Sequence, residues 1–189
     1  MSVTDRKMKA DNKTVIRACA ENDMHAVTEI YRHHVLHSPA TFELAPPSRE
    51  EMLGRYRAIV RGGFVYLVAE EAGGIVGYAY VSTYRDRPAY RFTVEDSVYI
   101  RSGHEGRGLG RMLLAALLAE CEKKPFRQVI AVIGDSANAA SIELHRSLGF
   151  AMTGTLKSVG FKFGRWLDIV LMQKEIGGGD RTPPREAAS

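Results

Sequence analysis

The residues best placed to do chemistry in this chain of 189 residues lie between Val94 and Cys121. Val94, Asp96, Val98 and Ile100 alternate with Glu95, Ser97 and Tyr99, which predicts a strand carrying a carboxylate on each face. A glycine-rich loop follows and opens a helix in which Leu109, Met112, Leu113, Ala116 and Leu117 recur at the spacing of a buried stripe. A helix that starts there leaves several backbone N–H groups without intrahelical partners, and its aligned peptide dipoles favour an anion. Just before the strand, Arg85, Arg87 and Arg91 converge on one short loop, which suits either a solvated charged turn or an anionic ligand.

Two nucleotide motifs fail against those glycines. Counted from Gly106, a dinucleotide fingerprint would need glycine where Arg111 stands, and a P-loop counted from Gly103 to Gly108 is followed by Leu109 rather than lysine. The spacing that fits is x-x-x-G-x-G from Glu105 to Gly110, followed by Arg111 and the helix.

The elements that must position this stretch can be read in order. Thr14 to Ala18 predicts a short strand, and Asn22 or Asp23 caps a helix in which Met24, Val27, Ile30 and Tyr31 keep the helical period to about His34. Val35 to Leu44 reads as a loop ending at Pro46-Pro47. Ser48 and Glu51 form a capping box for a second helix to Ile59, stopped by Gly62-Gly63. Phe64 to Glu70 and Ile75 to Tyr84 predict an antiparallel hairpin. After the glycine helix come a buried strand (Gln128 to Ile133), a helix (Asn138 to Leu148) and two strands (Phe150 to Leu156, Trp166 to Lys174) joined by Lys157 to Arg165. The order β-α-α-β-β-β-α-β-α-β-β predicts an α/β (α+β) domain, a mixed central β-sheet flanked by helices, over residues 14–176. Residues 1–13 read as a flexible N-terminus, and 177–189 as a disordered tail too poor in apolar residues to pack.

Composition sets the class. With 45% hydrophobic and 25% charged residues the chain is ordinary for one globular domain. No apolar run approaches the ~20 residues of a membrane helix, and the N-terminus lacks the apolar centre of a signal peptide. Cys19 and Cys121 show no metal-ligand spacing and read as packing residues of a reducing compartment. The expected setting is therefore cytoplasmic, without metal or membrane. The net charge of +4 is spread along the chain without a basic block, so no nucleic-acid partner is expected.

The loop from Glu105 to Gly110, Asn138 opening the next helix, and Leu144 to Phe150 (L-H-R-S-L-G-F) closing it resemble the GCN5-related N-acetyltransferase (GNAT) family. Within it, the chain is most similar to the phosphinothricin and methionine sulfone or sulfoximine N-acetyltransferases, in His33 to Glu43, Arg85-Arg87-Tyr90, Thr93 to Ile100, Ala131 to His145 and Thr153 to Trp166. The resemblance implies the GNAT fold, acetyl-CoA as co-substrate, a small amino-acid analogue as acceptor, and a homodimer. It implies acetyl-CoA contacts from Val98, Tyr99, Ile100, Arg107, Gly108, Leu109, Gly110, Arg111 and Asn138. Glu105 departs from the family pattern, which usually has Gln or Arg there; the pair Arg85 and Arg87 departs from the Lys and Arg of some phosphinothricin enzymes.

Acetyl transfer needs a neutral amine, so a base must take the ammonium proton, and the family match gives that role to Glu95. An ordinary carboxylate, near 4.3, is a weak base, so Glu95 needs a raised pKa or a relaying water. His145 matches a position near the pantetheine arm, where it would polarise the thioester or protonate the leaving thiolate. Arg85, Arg87 and Tyr90, with Phe42 and Glu43, would hold the acceptor. Two other readings stay open: an acetyltransferase for protein N-termini or polyamines, and a non-catalytic CoA-binding module.

Overall fold

The computed structural model describes residues 13–184. The expectations for residues 1–12 and 185–189 fall outside the described residues. Residues 177–184, expected in the tail, form turns against Arg127, whose guanidinium donates to the carbonyls of Gly177 and Pro183.

A seven-stranded sheet runs in the order β1 (Val15–Ala18), β2 (Tyr66–Glu71), β3 (Gly74–Thr83), β4 (Thr93–Ile100), β5 (Gln128–Gly134), β7 (Arg165–Glu175), β6 (Ala151–Lys162). Every neighbouring pair is antiparallel except β4 and β5. Helices α1 (Met24–His37) and α2 (Arg49–Arg61) cover one face; α3 (Leu109–Cys121) and α4 (Ala139–Ser147) cover the other. The predicted element order is the observed one.

Three local expectations need correction. Helix α1 continues to His37 because Val35 extends the buried stripe beyond Tyr31; Ser38, extended before Pro39, then ends it. Strand β6 does not stop at Leu156. It runs to Lys162 through a bulge at Leu156/Gly160 and turns tightly at Phe163-Gly164, both at positive φ, into β7. In α3 the buried stripe is Leu109, Leu113, Leu114, Leu117, Leu118 and Cys121, with Met112 exposed. The helix is apolar nearly all round, so only the sheet it packs on selects the face.

That stripe and Val94, Val129 and Ala131 make one core cluster. Each fully buried leucine contributes about 1.5–3 kcal/mol. The other face is aromatic: Tyr66, Tyr78 and Tyr99 pack under α1 and α2, with Tyr78 and Tyr99 stacked at 5.2 Å. Cys19 and Cys121 are free and buried, and burial pushes each thiol up to about 12, as packing residues require. Among the described residues no helix is long and apolar enough to cross a membrane, and no cluster of three or more His, Cys, Asp or Glu side chains is arranged to hold a metal.

Candidate active site

The site exists because two strands separate. β4 and β5 pair only from Thr93↔Gln128 to Asp96↔Ala131. Beyond that point β4 stays with β3 as far as Ile100, and β5 stays with β7 as far as Gly134. A cleft of about 1010 Å³ opens between them, lined by Ser97, Val98, Tyr99 and Ile100 on one wall and Val132, Ile133 and Gly134 on the other. The β4 edge of that wall has no sheet partner, so an extended, amide-bearing ligand can dock there as an added strand.

Glu95 and Asp96 stand at the vertex, both lining the cleft, and strand alternation sends them to opposite faces. Glu95 lies on the tyrosine face, level with Ser82 across the ladder. Burial, followed by the charge of Asp96, pushes its carboxyl up to about 7. Asp96 is buried under α4, and its Oδ2 is 3.0 Å from His145 Nε2. His145 Nδ1 is 2.7 Å from the Ser141 carbonyl oxygen, and the ring meets Phe150 edge-on at 5.0 Å. Burial opposes a charge on His145, but the Asp96 hydrogen bond and charge, helped by the Ser141 carbonyl, outweigh it and raise its pKa.

At the mouth lies the glycine loop. Gly103, Gly106 and Gly108 all adopt positive φ, and a Cβ at any of them would meet open space. Gly108 caps α3, so the N–H groups of Leu109, Gly110 and Arg111 are those a helix leaves unpaired. Among the cations expected there, only Arg111 lines the cleft, donating to Ser147. The Arg107 guanidinium turns away to Glu71 on β2, at 2.9 Å, which leaves its backbone for the loop. Glu105 folds back to accept from Gly103 N–H at 2.7 Å. Asn138 caps α4 by accepting from Ser141 N–H at 3.2 Å while still lining the cleft.

The acceptor side is only partly as expected. Phe42 lines the cleft, seated where Gly134 and Gly160 lack side chains: a Cβ at Gly160 would fall 2.2 Å from its ring. Glu43 does not line the cleft and is held by Arg55 and Tyr31. Arg85 and Arg87 line a separate cavity of about 510 Å³ with Thr93, Lys124 and Phe126, while Tyr90 packs on Tyr84.

Sequence reasoning missed Tyr80, His34 and Lys162. Tyr80 lines the cleft beside Glu95, and its alternation on β3 was the available signal. His34 donates from Nε2 to the Ile100 carbonyl at 2.8 Å, and burial lowers its pKa. Lys162 is buried and donates to the carbonyls of Ser38 and Thr41 at 2.9 and 2.7 Å, pinning the loop that carries Phe42. No local pattern marks either contact.

Residues 16–171 match the family model described as an acetyltransferase (GNAT) domain. The phosphinothricin N-acetyltransferase of Alcaligenes faecalis is 52% identical over 169 residues, covering 89% of this chain and 86% of that protein. The L-methionine sulfoximine/L-methionine sulfone acetyltransferase of Salmonella typhimurium is 43% identical, covering 85% and 94%. Among solved structures, a GNAT superfamily phosphinothricin acetyltransferase from Sinorhizobium meliloti in complex with AcCoA superposes with a TM-score of 0.89 at 46% identity, covering 92% of this chain and 94% of that one. With a parted β4–β5 pair, a glycine-opened α3 and this extent of likeness, the chain belongs to the GNAT acetyltransferase family.

Proposed function

We propose that this chain transfers the acetyl group of acetyl-CoA to the α-amine of small amino-acid analogues of the phosphinothricin and methionine sulfone or sulfoximine type. The observation that carries the reading is Glu95: a carboxylate at the cleft vertex whose burial pushes it up to about 7. At neutral pH such a group is basic enough to take a proton from an ammonium and is still substantially ionised. The cleft fits the co-substrate. The open β4 edge suits the amide-rich arm, and the loop N–H groups at residues 107–111 with Arg111 suit the pyrophosphate.

Acetyl-CoA supplies an activated thioester carbonyl. Glu95 removes the acceptor's ammonium proton from the tyrosine face, a backbone N–H of the Val98 to Ile100 strand steadies the developing oxyanion, and on the opposite face the resemblance gives His145 the part of polarising the thioester or protonating the thiolate. Phe42 packs on the acceptor's aliphatic part. Arg85 and Arg87, expected to hold its carboxylate and anionic head, line the separate cavity described above and are left out of this contact. The printed substrates of the relatives above support this acceptor class. The same reading makes the chain a cytoplasmic homodimer: β6 is an edge strand, and Phe161, Phe163 and Trp166 on its hairpin are each more than half exposed, the apolar edge a second copy would cover.

The test is thiol release from acetyl-CoA with phosphinothricin, methionine sulfone and methionine sulfoximine, set against peptide and polyamine amines. Acetylation of at least one analogue is expected. Thiol release with peptides or polyamines alone overturns the acceptor assignment.

A further inference from the structure

Beyond Asp96 and Ala131 the sheet divides into two arms, and the width of the cleft depends on what spans them. Helix α1 belongs to the β4 arm: Tyr31 and Val35 pack with Tyr78 and Tyr99, and His34 donates to the Ile100 carbonyl. β6 belongs to the β5 arm, which it joins through β7. On the α4 side the gap is crossed at its vertex by Asp96 and His145. On the α1 side it is crossed by a strap, Ser38 to Phe42, that leaves α1 and reaches over the end of β5 to β6. A Cβ at Gly134 would fall 2.2 Å from the Pro39 carbonyl oxygen, and one at Gly160 would fall 2.2 Å from the Phe42 ring.

Lys162 on β6 fastens that strap. Only 4% of its surface is exposed, and its Nζ donates to the Ser38 carbonyl at 2.9 Å and the Thr41 carbonyl at 2.7 Å. The ammonium also lies over the Phe163 ring, 4.8 Å from its centre. Burial lowers the lysine's pKa and so works against its charge, whereas a methionine would fill the same length without that cost. A methionine, however, would leave both carbonyls without this donor and the strap without its tie to β6. The other end of the strap is anchored on the β4 arm, where the Tyr31 hydroxyl bonds Thr41 Oγ1 at 2.9 Å and donates to Glu43. Phe42 stands between the two anchorages. We propose that Lys162 is a positioning residue for the acceptor: by clasping the strap of the β4 arm to β6, it holds Phe42 in the cleft and sets the room left there for a small substrate.

The kinetic consequences rest on the acetyl-transfer reading. Lys162 does not itself line the cleft, so it acts through Ser38, Thr41 and Phe42. A clasped strap presents the Phe42 ring already in place when the acceptor arrives; a released one must be ordered on binding, which weakens the complex. That ordering is needed equally in the ground and transition states, so its loss shows in KM for the acceptor and not in kcat. The co-substrate docks on the open β4 edge and the α3 loop, which the clasp does not touch, so its affinity is set elsewhere.

The experiment compares the full chain with Lys162→Met, which keeps the length and removes the donors and the charge, and places both in a double-mutant cycle with Phe42→Ala. In Lys162→Met, KM for an acetylated analogue is expected to rise about tenfold, with kcat and KM for acetyl-CoA within about twofold of wild type. In the Phe42→Ala background the same change should raise the acceptor KM less than about twofold, because the ring it positions is gone. Hydrogen–deuterium exchange of residues 40–43 should quicken about tenfold or more in Lys162→Met, while residues 27–31 of α1 stay unchanged. An unchanged acceptor KM, a KM effect fully additive with Phe42→Ala, or unchanged exchange at residues 40–43 overturns the proposal. Should Lys162→Met not fold, the wild type decides: reductive methylation should modify Lys162 about tenfold or more slowly than Lys157, whose side chain is 72% exposed, and equal rates overturn the clasp. The exchange measurement needs no acceptor, so failure of all three analogues as substrates is told apart from failure here.

Discussion

Glu95 and Asp96 are adjacent carboxylates on one strand, and the fold gives them opposite lives. On the face of α1 and α2, Glu95 looks across tyrosines with no cation against it among the described residues, and burial raises it to about 7. One residue on, Asp96 is buried at least as deeply but is tied to α4, its Oδ2 3.0 Å from His145 Nε2. Burial without a partner raises a carboxyl, as at Glu95. Two neighbouring carboxyls thus end in different surroundings, one facing the tyrosine side of the cleft and the other bonded to α4.

The strongest way to break this comparison is Glu95→Gln, which keeps the shape and removes the base. It should lower kcat by about 10²-fold or more and abolish the acidic limb expected of the wild type below about pH 7. The same change has a signed effect on stability. A carboxyl raised in the folded state binds more protons folded than unfolded, so its contribution worsens as pH rises from its ordinary value through about 7. Glu95→Gln should therefore melt a few degrees above the wild type at alkaline pH, the gap closing toward pH 4.5. Equal melting temperatures throughout would show that Glu95 is not strained by burial.

Gly108→Asp acts on the loop and leaves the vertex alone. It puts a side chain at φ 82 and a negative charge at the anion-binding end of α3. Titration calorimetry should show acetyl-CoA affinity reduced about tenfold, or about 1.4 kcal/mol. Unchanged affinity in the folded variant would place the pyrophosphate elsewhere. The smallest effect is expected from Gly160→Ala, whose Cβ would press on the Phe42 ring. It should destabilise by about 1–3 kcal/mol in chemical denaturation and raise KM for the acceptor without moving either limb of the pH profile. A shifted limb would mean that Phe42 also shapes the proton-transfer groups.

The chain announced its loop and strand plainly. Glycines at positions 103, 106 and 108 before an apolar helix mean a strand-to-helix turn with open N–H groups wherever they occur, because only local backbone geometry is involved. Glu95 on β4 was marked by the family resemblance, while Asp96 beside it carried no mark of its own. Nor was the partner of Asp96 legible, since His145 lies 49 positions away and its own helix offers no mark of which neighbour it meets. Arg107 shows the same limit, for its expected place beside the loop anion is taken up by Glu71 on a strand 36 positions earlier.

By itself the sequence determined the element order, the β4-loop-α3 unit and the presence of Glu95 within it, because turn chemistry, capping and periodicity act over a few residues. Only the tertiary structure decided that β4 and β5 part at Asp96, that Met112 faces out, that Phe42 fills the space left by Gly134 and Gly160, and that Asp96 meets His145 while Glu95 beside it does not. Those outcomes depend on which distant side chains share a volume and a dielectric environment, and that is settled when the sheet closes and its faces are buried.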